Sequence, residues 1–153
     1  MTLIEDSRQQ AGKHDLKHEH FSQMGVPFIR CKLPVGDYAL PPAAAVDTKA
    51  SMLEIAQNIG GGKQEHQRFI RELKLAREIG TKLVVLVECE ENFHTIDDVS
   101  SWRNPRTDFN PQCIQGPRLS KAMHTIEERY GCTFMFCRPE DAAEKIIDLL
   151  RET

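Results

Sequence analysis

Residues 36–49 read GDYALPPAAAVDTK, and this stretch decides the fold that we predict. An acidic residue lies near each end, and a proline pair separates the two segments. If both segments are extended, a hairpin between them brings Asp37 close to Asp47. Side chains alternate between the two faces of a strand, so Asp47 and Lys49 share one face and Thr48 lies on the other. The stretch therefore predicts two carboxylates and a lysine at one end of a β-sheet.

Such a group of side chains is a candidate site for a hard divalent cation. Mg²⁺ prefers oxygen ligands, retains several waters, and commonly uses one or two carboxylates together with substrate phosphates. The lysine would orient or help deprotonate an attacking water and stabilise the charge that builds on a phosphate. An acidic residue two positions before a lysine also occurs at Asp15 and Glu72. The spacing alone therefore leaves a surface ion pair on a hairpin as the alternative.

The same stretch resembles a known family signature. Gly36-Asp37, nine residues, then Asp47-Thr48-Lys49 is similar to the pattern of the XPF-type structure-specific endonucleases, a branch of the PD-(D/E)XK nuclease superfamily. That branch has Gly-Asp, nine residues, then Glu-Arg-Lys, so an aspartate and a threonine replace Glu-Arg here. The overall resemblance is to small phage-type or mobile-element members of the branch.

Other family positions match in chain order across about residues 3–88. They are Asp6 and Arg8 of a first-strand Asp-x-Arg-Glu, residues 57–59 of a Gln-Ser-Ile-like turn, and Arg68 with Glu72 of an Arg-x-x-x-Gln helix. Two of these matches contain a substitution. Gln9 stands where the family has the glutamate after the arginine, and Glu72 stands where it has glutamine.

The resemblance implies a restriction-endonuclease-like α/β fold, with a mixed central β-sheet flanked by helices. It also implies a Mg²⁺- or Mn²⁺-dependent DNA endonuclease whose products carry 5′-phosphate and 3′-hydroxyl ends. Asp37 and Asp47 would bind the metal together with the backbone carbonyl of Thr48, and Lys49 would position the attacking water. Asp6 is a further candidate catalytic residue, and its alternative role is to cap the turn after the first strand.

Basic residues in two segments are candidates for contacts with DNA. In the predicted helix 64–79, cationic side chains from Arg68 to Arg77 recur every three residues as a slanting stripe, with a solvated helix face as the alternative. In the irregular segment 90–116, Trp102 and Phe109 lie among arginines, which suits stacking on unpaired bases, although packing is the commoner role of a lone tryptophan. The family match adds Arg8 and Glu72 to these basic residues. The predicted DNA-binding residues are therefore Arg8, Arg68, Arg71, Glu72, Arg103 and Arg106.

The whole chain alternates between strand and helix patterns, which predicts an α/β sandwich with a mixed sheet. Outside the hairpin, we expect strands at 2–6, 26–33, 82–87 and 132–137, and helices at 13–24, 51–59, 64–79, 117–130 and from 139 onward. Ser51 with Glu54 predicts a capping box at the start of the second helix. Three glycines at 60–62 predict a flexible connector.

The first helix carries two patterns. Leu16, His20, Phe21 and Met24 fall at helical spacing and predict one face of an amphipathic helix. His14 and His18 have the i,i+4 spacing of two zinc ligands, but no further ligand converges on them. We therefore interpret the two histidines as part of an exposed, charged helix face.

Composition sets broader limits. The chain has 153 residues, of which 40% are hydrophobic and 28% charged. That size suits one domain with a substantial core, so residues 1–153 are predicted to form a single XPF-like nuclease domain. No apolar run is long enough to span a bilayer. Five cysteines without Cys-x-x-Cys spacing predict reduced thiols in a cytoplasmic protein. The net charge of −3 disfavours nucleic acid only mildly, because basic residues can cluster.

The expected partner is branched or partly single-stranded DNA, in repair, recombination or phage DNA processing. XPF-type enzymes usually carry a helix-hairpin-helix module, and within these 153 residues we expect none. Either a partner protein supplies recognition or the domain recognises DNA itself, and we also predict a homodimer through the C-terminal helices. The alternative function is a non-catalytic DNA-binding or scaffold subunit, and a nuclease acting on RNA is a third hypothesis.

Overall fold

A computed structural model describes residues 2–40 and 44–152, and within them the chain forms six β-strands and five α-helices. The strands are β1 (Leu3–Asp6), β2 (Phe28–Cys31), β3 (Tyr38–Leu40), β4 (Ala44–Lys49), β5 (Lys82–Glu88) and β6 (Thr133–Cys137). The helices are α1 (Asp15–Gln23), α2 (Met52–Gly60), α3 (Lys63–Glu78), α4 (Gly116–Tyr130) and α5 (Ala142–Arg151), with short 3₁₀ helices at Ile96–Ser101 and Pro139–Asp141.

The strands form one mixed sheet in the order β2-β1-β3-β4-β5-β6. β1 is parallel to β2 and antiparallel to β3, while β4, β5 and β6 run parallel to one another. The antiparallel pair β3–β4 at the centre is the hairpin predicted from residues 36–49. Its connection at 41–43 lies outside the described residues. The predicted mixed sheet is confirmed.

Helices cover both faces of the sheet. On the front face, α2, α3 and α4 pack against the sheet around Leu73, Val85 and Met123. On the reverse face, α1 and α5 pack around Phe21 and Ile146. Every residue of β4 is buried, as expected for a strand covered on both sides. The charged side chains at the end of β4 are therefore held inside the protein.

Most predicted elements agree with the observed ones to within three residues at each end. The α4 helix follows its local signals closely, with Pro117 in its first turn and Gly131 ending it in a left-handed conformation. The strand predicted at 26–33 is reduced to the four residues of β2, because this strand lies at the sheet edge and most of its side chains are exposed.

The predicted orientation of α1 is wrong. Leu16 and Met24 are 49% and 42% exposed, whereas His14 and Lys17 are buried together with Phe21. The predicted exposed, charged face containing His14 is therefore also wrong. The reason is that the reverse face of the sheet carries buried carboxylates, and α1 turns its charged side chains towards them.

The three glycines at 60–62 are not a loose connector. Gly60 is the last residue of α2 and Gly62 caps the start of α3, so the link between the helices is very short. A Cβ on Gly60 would lie 2.8 Å from the side chain of Ile114. Close packing against the segment before α4 therefore requires glycine at this position.

The capping box at the start of α2 forms in part. Ser51 Oγ accepts a hydrogen bond from the Glu54 amide at 3.1 Å, as predicted. The Glu54 carboxylate accepts from the Ala50 amide at 2.7 Å, one residue earlier than the box predicts. No helix in the described residues is long and apolar enough to cross a bilayer, and the five cysteines are free thiols.

Candidate functional site

A tight turn at Gly36 positions the Asp37 carboxylate. Gly36 has a φ of 76°, and a Cβ there would lie 3.0 Å from that of Ala45, so the position favours glycine. The Asp37 amide then donates to the Val46 carbonyl at 2.8 Å and extends the β3–β4 pairing. Asp37 and Asp47 therefore come together at the end of the hairpin.

The Asp37 carboxylate is held by several donors. Its Oδ2 accepts from the amide and the hydroxyl of Thr48, both at 2.7 Å, and its Oδ1 accepts from Gln9 Nε2. Burial, followed by the neighbouring charge of Asp47, raises the pKa of Asp37 to about 7, although the bonds from Thr48 act in the opposite direction. The raised pKa thus reflects first the burial of this carboxylate and second the negative charge of Asp47 beside it.

Asp47 and Lys49 share the front side of β4 and form a buried pair, with Lys49 Nζ 2.8 Å from Asp47 Oδ2. This contact is not aligned as a hydrogen bond, and no other donor among the described residues serves that buried oxygen. Burial tends to lower the pKa of Lys49, but Asp47, and then Glu72 and Glu54, outweigh it and raise the pKa. Lys49 is therefore held as an ammonium ion.

Glu72 belongs to the same group of carboxylates. Its Oε1 accepts from the Gly36 amide at 2.9 Å. Burial, and then Asp47, raise the pKa of Glu72. Glu72 was predicted to be a DNA-binding residue, whereas the structure places it beside Asp47 and Lys49, where its negative charge would repel a phosphate. Its neighbours in α3, Phe69 and Leu73, are buried against the sheet. The helical spacing of these apolar residues could therefore have predicted that Glu72 lies close to the sheet.

These side chains open into a cleft of about 520 Å³. The acidic residues lie deep in it, and exposed basic residues surround them: Arg8, Arg68 and Arg71, for which DNA contacts stay a prediction, and Lys13, which was not among the predicted residues. Arg77, at the far end of the predicted stripe, instead donates to a backbone carbonyl of α4 at 2.9 Å. The stripe therefore divides, and only its first part reaches the cleft.

Asp6 also lines the cleft, but its oxygens are engaged. They accept from Arg8 Nε at 2.7 Å and from the Leu33 amide at 3.2 Å. Arg8 in turn donates to the Leu33 carbonyl at 2.8 Å. These bonds join the end of β1 to the chain after β2, which corresponds to the turn-capping alternative for Asp6.

The aromatic and basic residues after Trp102 lie elsewhere. Trp102 is buried in the front core, so its role is packing. Arg103 pairs with Asp108 at 3.0 Å, and Arg106 contacts the side-chain amide of Gln57 in α2. The structure does not bring either arginine into the cleft. Phe109 is 91% exposed.

The cleft fits a divalent cation. Asp47 Oδ2 is a buried anionic oxygen whose close cationic neighbour is the Lys49 ammonium, and the pKa of Asp37 is raised first by burial and then by the charge of Asp47, which a cation would neutralise. Within 2–40 and 44–152, no three histidine, cysteine, aspartate or glutamate side chains form a metal cluster by themselves. A cation held by Asp37 and Asp47 would therefore also depend on backbone oxygen and water, a ligand set that suits Mg²⁺.

Comparison with known proteins gives a family and a fold. The family model described as the ERCC4 domain matches residues 5–150. The structure is similar to that of XPF from Aeropyrum pernix, with a TM-score of 0.69 and 20% identity over 99% of this chain and 64% of that chain. A structure of the same XPF in complex with DNA gives a TM-score of 0.68 and 19% identity, with the same coverage. This chain thus spans 64% of the length of the XPF chains it matches. No curated protein sequence matches it.

Proposed function

The chain belongs to the ERCC4 domain family, and from this premise we propose that it is a Mg²⁺- or Mn²⁺-dependent DNA endonuclease. The XPF-type resemblance noted in the sequence is confirmed for the family and for the fold. The proposed reaction is hydrolysis of a phosphodiester bond in branched or partly single-stranded DNA. The solved complex of an XPF with DNA supports DNA as the substrate.

The arrangement of Asp37, Asp47 and Lys49 carries this proposal. The cleft gathers the carboxylates of Asp37, Asp47 and Glu72 around one ammonium group, that of Lys49, which lies 2.8 Å from Asp47 Oδ2. Such an excess of buried carboxylates is costly to maintain in a folded protein, and the cost is understandable if a cation binds Asp37 and Asp47 during function. Asp37 and Asp47 are therefore the proposed metal-binding side chains, and the backbone carbonyl of Thr48 is the proposed third protein ligand.

Lys49 has a narrower role than its sequence position suggested. When bound, the cation would act as a Lewis acid, which makes a bound water more acidic and neutralises charge on the phosphate. The surrounding carboxylates keep Lys49 protonated. We therefore assign to its ammonium group the orientation of the attacking water and the stabilisation of charge on the phosphate, and not the removal of a proton.

The exposed basic side chains around the cleft provide a path for the DNA backbone. Arg68 and Arg71 on α3 and Arg8 after β1 flank the acidic residues, and phosphates drawn to them would lie over the metal site. Arg103 and Arg106 are proposed to contact DNA at a separate surface next to α2, where the exposed ring of Phe109 offers a stacking face for an unpaired base.

The test is cleavage of labelled flap, fork, four-way-junction and single-stranded DNA, with single-stranded RNA in parallel, in the presence of Mg²⁺, Mn²⁺ or EDTA. Wild type is compared with Asp47→Ala, Lys49→Ala and the control Asp97→Ala, which removes an exposed carboxylate outside the cleft. We expect cutting that requires the cation and falls by at least about 100-fold in both cleft variants but not in the control.

Three results would contradict this function. Equal cleavage by wild type and Asp47→Ala would show that the activity does not come from this site. DNA binding by every variant with no cleavage of any substrate would support the alternative, a scaffold subunit that has kept the fold. Cleavage of RNA alone would support the third hypothesis. The intact set of Asp37, Asp47 and Lys49 favours catalysis, because degenerate partners lose acidic residues or the lysine.

A further inference from the structure

Gln9 connects the two faces of the sheet. It lies in the loop between β1 and α1, and its side chain has one polar group directed to each face. Its Nε2 donates to Asp37 Oδ1 in the cleft. Its Oε1 lies 2.6 Å from Nε2 of His14, which is buried beneath α1 on the reverse face. His14 Nδ1 in turn lies 2.9 Å from the hydroxyl of Tyr38, a fully buried residue.

The direction of each bond follows from the ionised form of Asp37, which is the form that would bind a cation. An ionised carboxylate only accepts, so in that form the Gln9 nitrogen faces Asp37 and its oxygen faces His14. His14 Nε2 therefore carries a hydrogen, and in a neutral ring Nδ1 then accepts from the Tyr38 hydroxyl. The Glu5 carboxylate, which His18 and Arg30 contact, also interacts with the Tyr38 hydroxyl and is a second acceptor for it. Burial, and then the charge of Lys17, lower the pKa of His14 to about 4, in agreement with a neutral ring.

We infer that Tyr38, His14 and Gln9 form a relay of hydrogen bonds whose function is to orient the Asp37 carboxylate for a divalent cation. Gln9 is thus a positioning residue of the metal site, and His14 positions Gln9. The inference rests on the proposed metal-dependent function. It assigns a role to the side chain that replaces the family's glutamate at position 9.

The contacts of Asp37 show what the relay achieves. A carboxylate offers about four lone-pair positions. Two donors from Thr48 occupy Oδ2, and Gln9 occupies one position on Oδ1. The remaining position on Oδ1 can accept a cation while the carboxylate is prevented from rotating. A glutamate at position 9 would instead place a second negative group against Asp37.

Calorimetric titration with Mn²⁺ in the absence of DNA tests the relay. Groups that orient a metal-binding side chain typically contribute about 10–100-fold to metal affinity. We therefore expect Gln9→Ala and His14→Phe each to weaken Mn²⁺ binding by about that factor. Because both act through the same bond to Asp37, the double variant should bind no more weakly than the weaker single variant. His14→Gln keeps an N–H donor and should recover part of the affinity lost in His14→Phe.

His18→Phe is the matched control. His18 lies one turn after His14 and pairs with Glu5, and among the hydrogen bonds of the described residues none joins it to Gln9. This variant should change the melting temperature without changing Mn²⁺ affinity. Melting curves for every variant identify any loss of affinity that follows from unfolding, and titrations are made below the onset of unfolding.

The outcomes separate this inference from the proposed function. Loss of Mn²⁺ binding in Asp47→Ala, with unchanged affinity in Gln9→Ala and His14→Phe, overturns the relay and leaves the nuclease proposal intact. Additive losses in the double variant also overturn it, since they would indicate independent effects. If the relay variants bind Mn²⁺ more weakly than the wild type does, but the wild type cuts no nucleic acid, the result would support the relay and refute the nuclease. Absence of Mn²⁺ binding by the wild type would overturn the relay.

Discussion

The two faces of the sheet both bury charged groups, yet they treat them in opposite ways. On the reverse face, Lys17 Nζ lies 2.8 Å from the Glu88 carboxylate, and Glu5 is engaged by His18 and by Arg30 at 3.0 Å. Each of these buried carboxylates has a cationic or histidine partner. In the front cleft, three carboxylates share the buried ammonium of Lys49: those of Asp37, Asp47 and Glu72. One oxygen of Asp47 has no donor other than this ammonium, and that contact is not aligned as a hydrogen bond.

This difference separates a structural polar group from a functional one. Pairing offsets the cost of burying a charge, and a paired group then holds its elements in register. A site with unpaired charge of one sign remains costly until a ligand of the opposite sign arrives. The reverse face is therefore complete in the protein alone, whereas in the proposed function a cation would complete the front cleft.

The largest effect on stability is expected from breaking a pair on the reverse face. Lys17→Met would leave Glu88 buried without its partner, and loss of one member of a buried pair costs about 3–5 kcal/mol. We expect the free energy of unfolding in urea to fall by that amount, while the exposed control Lys121→Met changes it little. The double variant Lys17→Met/Glu88→Leu should recover much of the loss. A cost no greater than that of the control would contradict the structural role of the pair.

A smaller effect is expected from the titration of His14. Its pKa is lowered from 6.5 to about 4 in the folded protein. Between pH 4 and pH 6.5 the unfolded chain therefore binds more protons at this residue than the folded protein does. The stability contributed by neutral His14 is thus present above pH 6.5 and is lost as pH falls towards 4, to the extent of about 2–3 kcal/mol. Urea unfolding of wild type and His14→Phe at pH 7 and pH 4.5 in EDTA measures the difference. Equal losses in the two proteins would show that His14 is not the titrating group.

The smallest effect concerns the front cleft, where a ligand should stabilise the protein. Free Mn²⁺ at ten times its dissociation constant should add about 1.4 kcal/mol to the free energy of unfolding. Asp47→Ala should abolish this increment, because it removes a carboxylate that binds the cation. Lys17→Met should retain the increment, because its defect lies on the other face. Loss of the increment in Lys17→Met would show that the two faces are energetically coupled through α1.

Local sequence was a good guide wherever neighbouring residues decide the structure. The hairpin and its site depend on a turn at Gly36 and on the alternation of side chains along β4, and both are short-range properties. The ends of α4 follow from Pro117 and Gly131 for the same reason. Asp37, Asp47 and Lys49 could therefore be placed together from their spacing and from the family signature.

The orientation of α1 could not be derived in this way. Its apolar residues Leu16 and Met24 predicted one face of an amphipathic helix, but Lys17 and His14 lie inside instead. The partner of Lys17 is 71 positions away in β5. A helical wheel contains no information about the charge of the surface that the helix will cover.

The sequence by itself thus determined the family signature and the order of strands and helices along the chain. It also determined three central residues of the cleft, which are Asp37, Asp47 and Lys49. Only the tertiary structure decided which other groups join them. Glu72 reaches the cleft from α3, and Gln9 reaches Asp37 across 28 positions of the chain. The physical reason is that turns and side-chain alternation act over a few residues, whereas the pairing of buried polar groups is settled only when distant elements pack together.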